Sequence, residues 1–224
     1  MPIPNLTELC PALLVIDSQC EFVTTGETAG AIATEDPTDA LAKVSALIQA
    51  AHDVDMPVIF TQEAHRKEGV DFGRELDGDE GVHCIEGTNG VNFRPETLPR
   101  DGDFVVPKRR YSGFFATDLD LLLRGLGVDT LLICGFVADV CVHYTAVDAH
   151  QYDYHVFVAQ DGTTGTSPEA GRAALAAIDY LQRGSVVTSQ DLIAGMRAGF
   201  RPPRAANTAH ESVVSKSLES EGGP

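Results

Sequence analysis

Short apolar runs alternate with amphipathic stretches along most of the chain. Residues 12–16 (ALLVI), 57–60 (PVIF), 104–106 (FVV), 130–134 (TLLIC), 155–159 (HVFVA) and 185–188 (SVVT) are the strand candidates. Runs this short and this apolar suit strands covered on both faces, as in a parallel sheet. Helix signals lie between them. Asp36-Pro37 sets a capping carboxylate before a proline at the first helical position, and Ser167-Pro168-Glu169 does the same for an Ala-rich helix ending near Gly184. Residues 118–124 (DLDLLLR) predict a helix closed by a left-handed Gly125, and Ser189 predicts a cap for 190–198, with Gly199 as the stop. Strand and helix in alternation predict an α/β fold, a doubly wound and mostly parallel sheet with helices on both faces.

Two stretches break the pattern. Residues 65–103 are too long and irregular for an ordinary αβ connection and read as a functional lid. From Gly199 onward the chain is rich in Pro, Ala, Ser, Gly and charge, so the expected division is a domain over 1–199 and a flexible or subunit-wrapping tail over 200–224. Composition narrows the function classes. Among 224 residues, 33 Asp and Glu against 16 Lys and Arg leave a formal charge of −17, which opposes binding to nucleic acid. No apolar run approaches the roughly 20 residues of a membrane span, and the first residues lack the basic start and apolar core of a secretory signal. Five cysteines, an odd number without a CxxC pair, read as free thiols in a reducing cytoplasm.

In an open parallel sheet, ligands bind beyond the carboxyl ends of the strands. Asp17 follows the first run; Thr61, Gln62, Glu63 and His65 follow the second; Lys108 follows the third through Pro107; and GFVADVC, ending in Cys141, follows the fourth. A carboxylate, an ammonium and a thiol thus reach one rim from three strands. Such a set supports nucleophilic catalysis, in which a cation and a helix N-terminus favour the thiolate and a carboxylate relays the proton. Each residue also has a plainer reading: a structural thiol, a turn aspartate, a rim charge within Lys108-Arg109-Arg110. Spacing alone leaves both readings open.

The stretches ALLVIDSQCEF, VVPKRRYSGFFATDLDLLLRGLGVDTLLICGF and ADVCVHYTAVDA resemble the three signature segments of the isochorismatase-like cysteine hydrolases, a superfamily that includes nicotinamidases and N-carbamoylsarcosine, biuret and ureidoacrylate amidohydrolases. The resemblance spans about residues 12–198. It implies a six-stranded parallel sheet, a homo-oligomer (dimer or tetramer) and a catalytic triad of Asp17, Lys108 and Cys141. It also implies a non-proline cis peptide at Phe136–Val137, with the amides of Val137 and Cys141 facing the developing oxyanion. One departure is Ala138, where many relatives carry Thr. The implied activity is cleavage of a C–N bond in a small amide or ureido compound through a covalent thioester-type intermediate.

The triad itself requires no cofactor. Nicotinamidases, however, hold a divalent metal on an Asp-x-His and a later His. Here Glu63-Ala64-His65 and His83 stand in corresponding places and would suit Zn, Mn or Fe. Glu replaces Asp and the chain has no Trp, and the same HC-x-x-GT-x-G segment occurs in metal-free relatives. Candidate substrate contacts are Gln19, Phe22, Gln62, Tyr111, Phe114 and Phe115. RYSGFF is similar to the ureidoacrylate amidohydrolase segment. The alternatives to a cysteine amidohydrolase are a metal-assisted nicotinamidase-type enzyme, an isochorismate-type vinyl-ether hydrolase (whose members lack the Cys) and a non-catalytic binding protein of the same fold. The partner in the first case is a small molecule.

Overall fold

The six apolar runs become β1 (Pro11–Ile16), β2 (Val58–Glu63), β3 (Phe104–Lys108), β4 (Thr130–Gly135), β5 (His155–Ala159) and β6 (Val186–Val187). In the computed structural model, which describes residues 5–22 and 37–203, all pairings are parallel and the strand order is β3-β2-β1-β4-β5-β6. The chain therefore winds outward from β1 in one direction, returns to β4 beside it, and winds outward in the other. The switch point lies between β1 and β4, where Ile16 pairs with Gly135.

Both sheet faces are covered, which explains the uninterrupted apolar runs. Leu13 and Val15 of β1 pack with Val44 and Leu47 of α1 (Thr38–Asp53) and Leu192 and Met196 of α5 (Ser189–Ala198). Ala12, Leu14 and Ile16 face the other way. They pack with Leu119 and Leu123 of α2 (Leu119–Leu126), Ala146 of α3 (His143–Gln151) and Ile178 of α4 (Pro168–Leu181). Among the described residues no helix is long and apolar enough to cross a membrane.

The helix ends correct the expectations in detail. Ser167 caps α4 as expected, accepting a bond from the Ala170 amide at 3.1 Å. That helix stops at Leu181, before Gly184, because Gln182 turns its amide onto both backbone groups of Val156 in β5. In α2 the left-handed terminator is Gly127, at φ 72°, and not Gly125, which lies within the helix. The apolar stripe continues through Leu126, and the amides of Gly127 and Val128 close onto the carbonyls of Arg124 and Leu123. The cap of α5 is Thr188 and not Ser189. Thr188 and Asp191 exchange side-chain-to-amide bonds at 3.1 Å each, while Ser189 is the first helical residue and gives its hydroxyl to Asp161. Thr188→Ala removes half of that reciprocal box. It is expected to cost about 1 kcal/mol, read as a lower urea midpoint at unchanged slope.

The Asp36 cap falls outside the described residues, and so does the chain from residue 204. Just before that point the Arg201 amide donates to Leu9 O at 2.7 Å, and its guanidinium pairs with Asp129. Residues 65–103 contain only two short 3-10 turns, Glu75–Asp77 and Pro95–Thr97, and lie across the carboxyl ends of the strands through bridges at Gln19–Phe93 and His65–Ile85.

Candidate active site

Four strands deliver one charged cluster. Asp17 leaves β1 with a left-handed φ of 42°, held by Thr61, whose hydroxyl donates to Asp17 Oδ1 at 2.8 Å and accepts from the Asp17 amide at 3.1 Å. Lys108 ends β3 directly beside Glu63, the last residue of β2, as their pairing register requires. Its ammonium, 1% exposed, lies 2.8 Å from Asp17 Oδ2 and donates to Glu63 Oε2 at 3.0 Å and to Cys141 Sγ at 3.4 Å. The Cys141 thiol is 3.7 Å from Glu63 Oε2. At the end of β4, Gly135 adopts φ 114°, and a Cβ there would collide with the Ile16 carbonyl; only glycine lets the two strands meet at the switch point. The Phe136–Val137 peptide is cis, and the next turn, Ala138–Val142, is a π-helical one that carries Cys141 into α3.

The electrostatics follow from burial against pairing. Burial lifts the Asp17 carboxyl above its ordinary range, and the neighbouring Glu63 adds to the rise while Lys108 opposes it. For Glu63 burial acts the same way, but Lys108 and the two imidazoles outweigh it and hold the carboxyl well below its usual range. Burial would discharge Lys108; Asp17, Cys141 and Glu63 reverse that and keep it firmly protonated. The Cys141 thiol is raised well above the ordinary range, since burial and two carboxylates exceed the pull of Lys108. Burial thus opposes the thiolate that the sequence sets at a helix N-terminus, and Lys108 offsets part of that penalty.

A second cluster shares Glu63. Its Oε1 is 3.5 Å from His65 Nε2 and 3.6 Å from His83 Nε2, and His65 Nε2 is 3.3 Å from Glu75 Oε2. All four residues are buried, yet Glu63 Oε1, both His65 nitrogens, both Glu75 oxygens and His83 Nε2 have no hydrogen-bond partner among the described residues. His83 Nδ1 lies 2.7 Å from Gly81 O, which fixes the ring and leaves Nε2 for the cluster. Phe72 stacks on His65 at 3.9 Å. Two imidazoles and two carboxylates, with three of their ligand-atom separations at 3.3, 3.5 and 3.6 Å and all within 4.8 Å of one another, could close on a divalent metal. Burial lowers His83, but Glu63 overrides it and lifts the imidazole to about 9, so the cluster attracts positive charge.

The sequence matches the Isochorismatase domain over residues 11–191. This chain belongs to that family. It is 30% identical over 179 residues to the ureidoacrylate amidohydrolase RutB of Azorhizobium caulinodans, covering 70% of this chain and 78% of that one. An N-carbamoylsarcosine amidase structure from Thermoplasma acidophilum superposes with a TM-score of 0.64 at 30% identity, covering 80% of this chain and 96% of the other. A pyrazinamidase of Pyrococcus horikoshii in complex with zinc gives 0.70 at 28% identity, covering 80% and 99%. The protein is an isochorismatase-family hydrolase with the α/β sheet of that family.

In this isochorismatase-family hydrolase the expected substrate residues scatter. Tyr111 alone among them lines a cavity of about 500 Å³, together with Glu75, Asp139 and Val140, the residue before Cys141. Gln19 is fully buried and braces Glu63 instead, accepting from the Glu63 amide at 2.8 Å and donating to Glu63 O at 2.8 Å. Gln62 donates to Val91 O, and Phe22 packs edge-on against His83. Phe114 is core, against Tyr152 and Tyr154, while Phe115, 59% exposed, lines with Tyr111 and Tyr144 a second, smaller cavity of about 240 Å³. Sequence reasoning missed Glu75, which sits in a 3-10 turn of the irregular stretch where no periodicity marks it. It also read Glu63 only as a metal candidate, although β2–β3 pairing sets it against Lys108.

Proposed function

We propose that this hydrolase cleaves the C–N bond of a small amide or ureido compound with Cys141 as nucleophile. The observation that carries the reading is the buried ammonium of Lys108, in contact with both Asp17 and the Cys141 thiol. The amidases named above support it. On substrate binding the thiol proton passes to Asp17, whose raised affinity for protons suits that role, and the thiolate sulfur attacks the carbonyl carbon. Lys108 keeps the site's charge balanced while the negative charge moves from carboxylate to sulfur. The amides of Val137 and Cys141 receive the oxyanion. The C–N bond then breaks, Asp17 returns the proton to the leaving nitrogen, and an acyl or carbamoyl thioester remains. Asp17 next takes a proton from water, which attacks the thioester; the acid departs and the thiol re-forms.

Glu63, His65, Glu75 and His83 would hold a divalent metal, and their unpartnered buried atoms are the reason. Bound there, such an ion would supply Lewis-acid polarisation of a carbonyl or a water. The purified protein is expected to carry about one equivalent of divalent metal per chain, and Glu75→Ala to reduce that occupancy, both read by elemental mass spectrometry. Metal-free protein that binds no added zinc would remove the assignment. The activity test is ammonia release from nicotinamide, maleamate, biuret, ureidoacrylate and N-carbamoyl amino acids, with and without chelator. Release from at least one amide or ureido substrate is expected, and vinyl-ether cleavage without any C–N cleavage would overturn the reading.

A further inference from the structure

Resting on that reading, we propose that the cavity beside the reacting groups receives a positively charged end of the substrate, so that the enzyme acts on amides or ureas bearing a guanidinium or ammonium group away from the scissile bond. The cavity, about 500 Å³, is lined by the carboxylates of Glu75, Asp79, Glu80 and Asp139. It abuts the centre, since its lining residue Glu75 lies 3.3 Å from His65 of the cluster and Val140 precedes Cys141. Arg74 is its only lining cation among the described residues. That side chain is 91% exposed and spends its guanidinium on Asp77 at 2.7 Å. Asp139 is spent too, accepting from the Thr166 amide at 2.8 Å and from its hydroxyl.

What remains is unmet acceptor capacity in residues that line the cavity. Glu75 is 4% exposed; its Oε2 lies 3.3 Å from His65 Nε2, and neither of its oxygens is hydrogen-bonded among the described residues, while Glu80 Oε2 is buried and equally unpartnered. Carboxylates taken out of water without donors are costly, and a cation with several N–H groups supplies what they lack. A metal on Glu75 Oε2 would still leave Glu75 Oε1, Glu80 and Asp79. Tyr111, stacked on Tyr144 at 5.6 Å, adds an aromatic wall of the kind cations prefer. The net charge of −17 draws cations toward the surface as a whole. A substrate with a carboxylate at the same place, as in ureidoacrylate, meets like charge instead.

The test uses three amides of similar length, γ-guanidinobutyramide, hexanamide and adipamate, with kcat and KM measured for each, and butylguanidinium as a binding probe in calorimetry at low and high salt. The guanidinium amide is expected to exceed hexanamide about ten- to hundredfold in kcat/KM, with adipamate lowest. Glu80→Gln and, independently, Asp79→Asn should shrink that preference through KM. Adipamate turned over as well as the guanidinium amide, or a preference untouched by both variants, would overturn the proposal while leaving amide hydrolysis in place. If no amide is cleaved, butylguanidinium decides separately. Salt-sensitive binding weakened by Glu80→Gln upholds the cation site and removes the amidase reading, and no binding overturns the cation site.

Discussion

Cys141→Ala is expected to lower C–N cleavage by about four orders of magnitude or more while leaving the fold intact. The thiol makes the only bond that the proposed covalent step requires, and neither Cys134 nor Cys84 gives a substitute. Cys134 is sealed in the core formed with α1 and α5, on the face of the sheet opposite Cys141. Cys84 is buried at φ 46° and accepts from the Gln19 amide, with its own thiol raised by burial and Glu63. Structure should survive because Lys108 keeps Asp17 and Glu63 as partners after the sulfur is gone. Ammonia release gives the rate, far-ultraviolet circular dichroism with urea unfolding gives the fold, and intact mass spectrometry with a slow substrate shows the acyl adduct on wild type only. A variant retaining activity within about tenfold of wild type would exclude nucleophilic catalysis by this sulfur.

Lys108→Met is expected to be the most destabilising single change at the centre, at about 3–5 kcal/mol, because methionine matches the stem of lysine but leaves Asp17 a buried carboxylate without a counter-charge and Glu63 with its imidazoles alone. Both would respond by taking up protons. The Asp17→Asn, Lys108→Met double variant should recover part of the loss, and the resulting cycle measures the coupling directly. Urea unfolding at neutral pH reads all four proteins. A Lys108→Met loss below about 1 kcal/mol would mean that the carboxylates find other compensation, and the charge-balance account of the site would fall.

The layered fold was legible because strands covered on both faces need no polar alternation: residues 12–16 announce a central strand, and Leu13 and Leu14 do lie in opposite cores. Helix ends were less legible. In Arg124-Gly125-Leu126-Gly127 two glycines compete for the terminator, and only the extra turn made by Leu126 decides between them. Ser189 and Thr188 are both good caps, and the choice was made by Asp161, which draws Ser189 inward from 28 residues away. At the site, Asp17, Lys108 and Cys141 could be assembled from strand ends alone, whereas the double contact of Glu63 depends on strand register. Gln19 illustrates the opposite error: a polar side chain near a rim looks like a substrate contact, but here it replaces a backbone ladder for Glu63.

The order in which the cluster's members occur along the polypeptide has a consequence for synthesis. Asp17, Glu63, Lys108 and Cys141 leave the ribosome in that sequence, each on a different strand end, and the sulfur comes last. A nascent or half-assembled chain therefore carries an ordinary solvated mercaptan with no ammonium at its side. Only when the central strands have paired do the ammonium and both carboxylates close on that sulfur, so the cluster is completed as a whole rather than piece by piece.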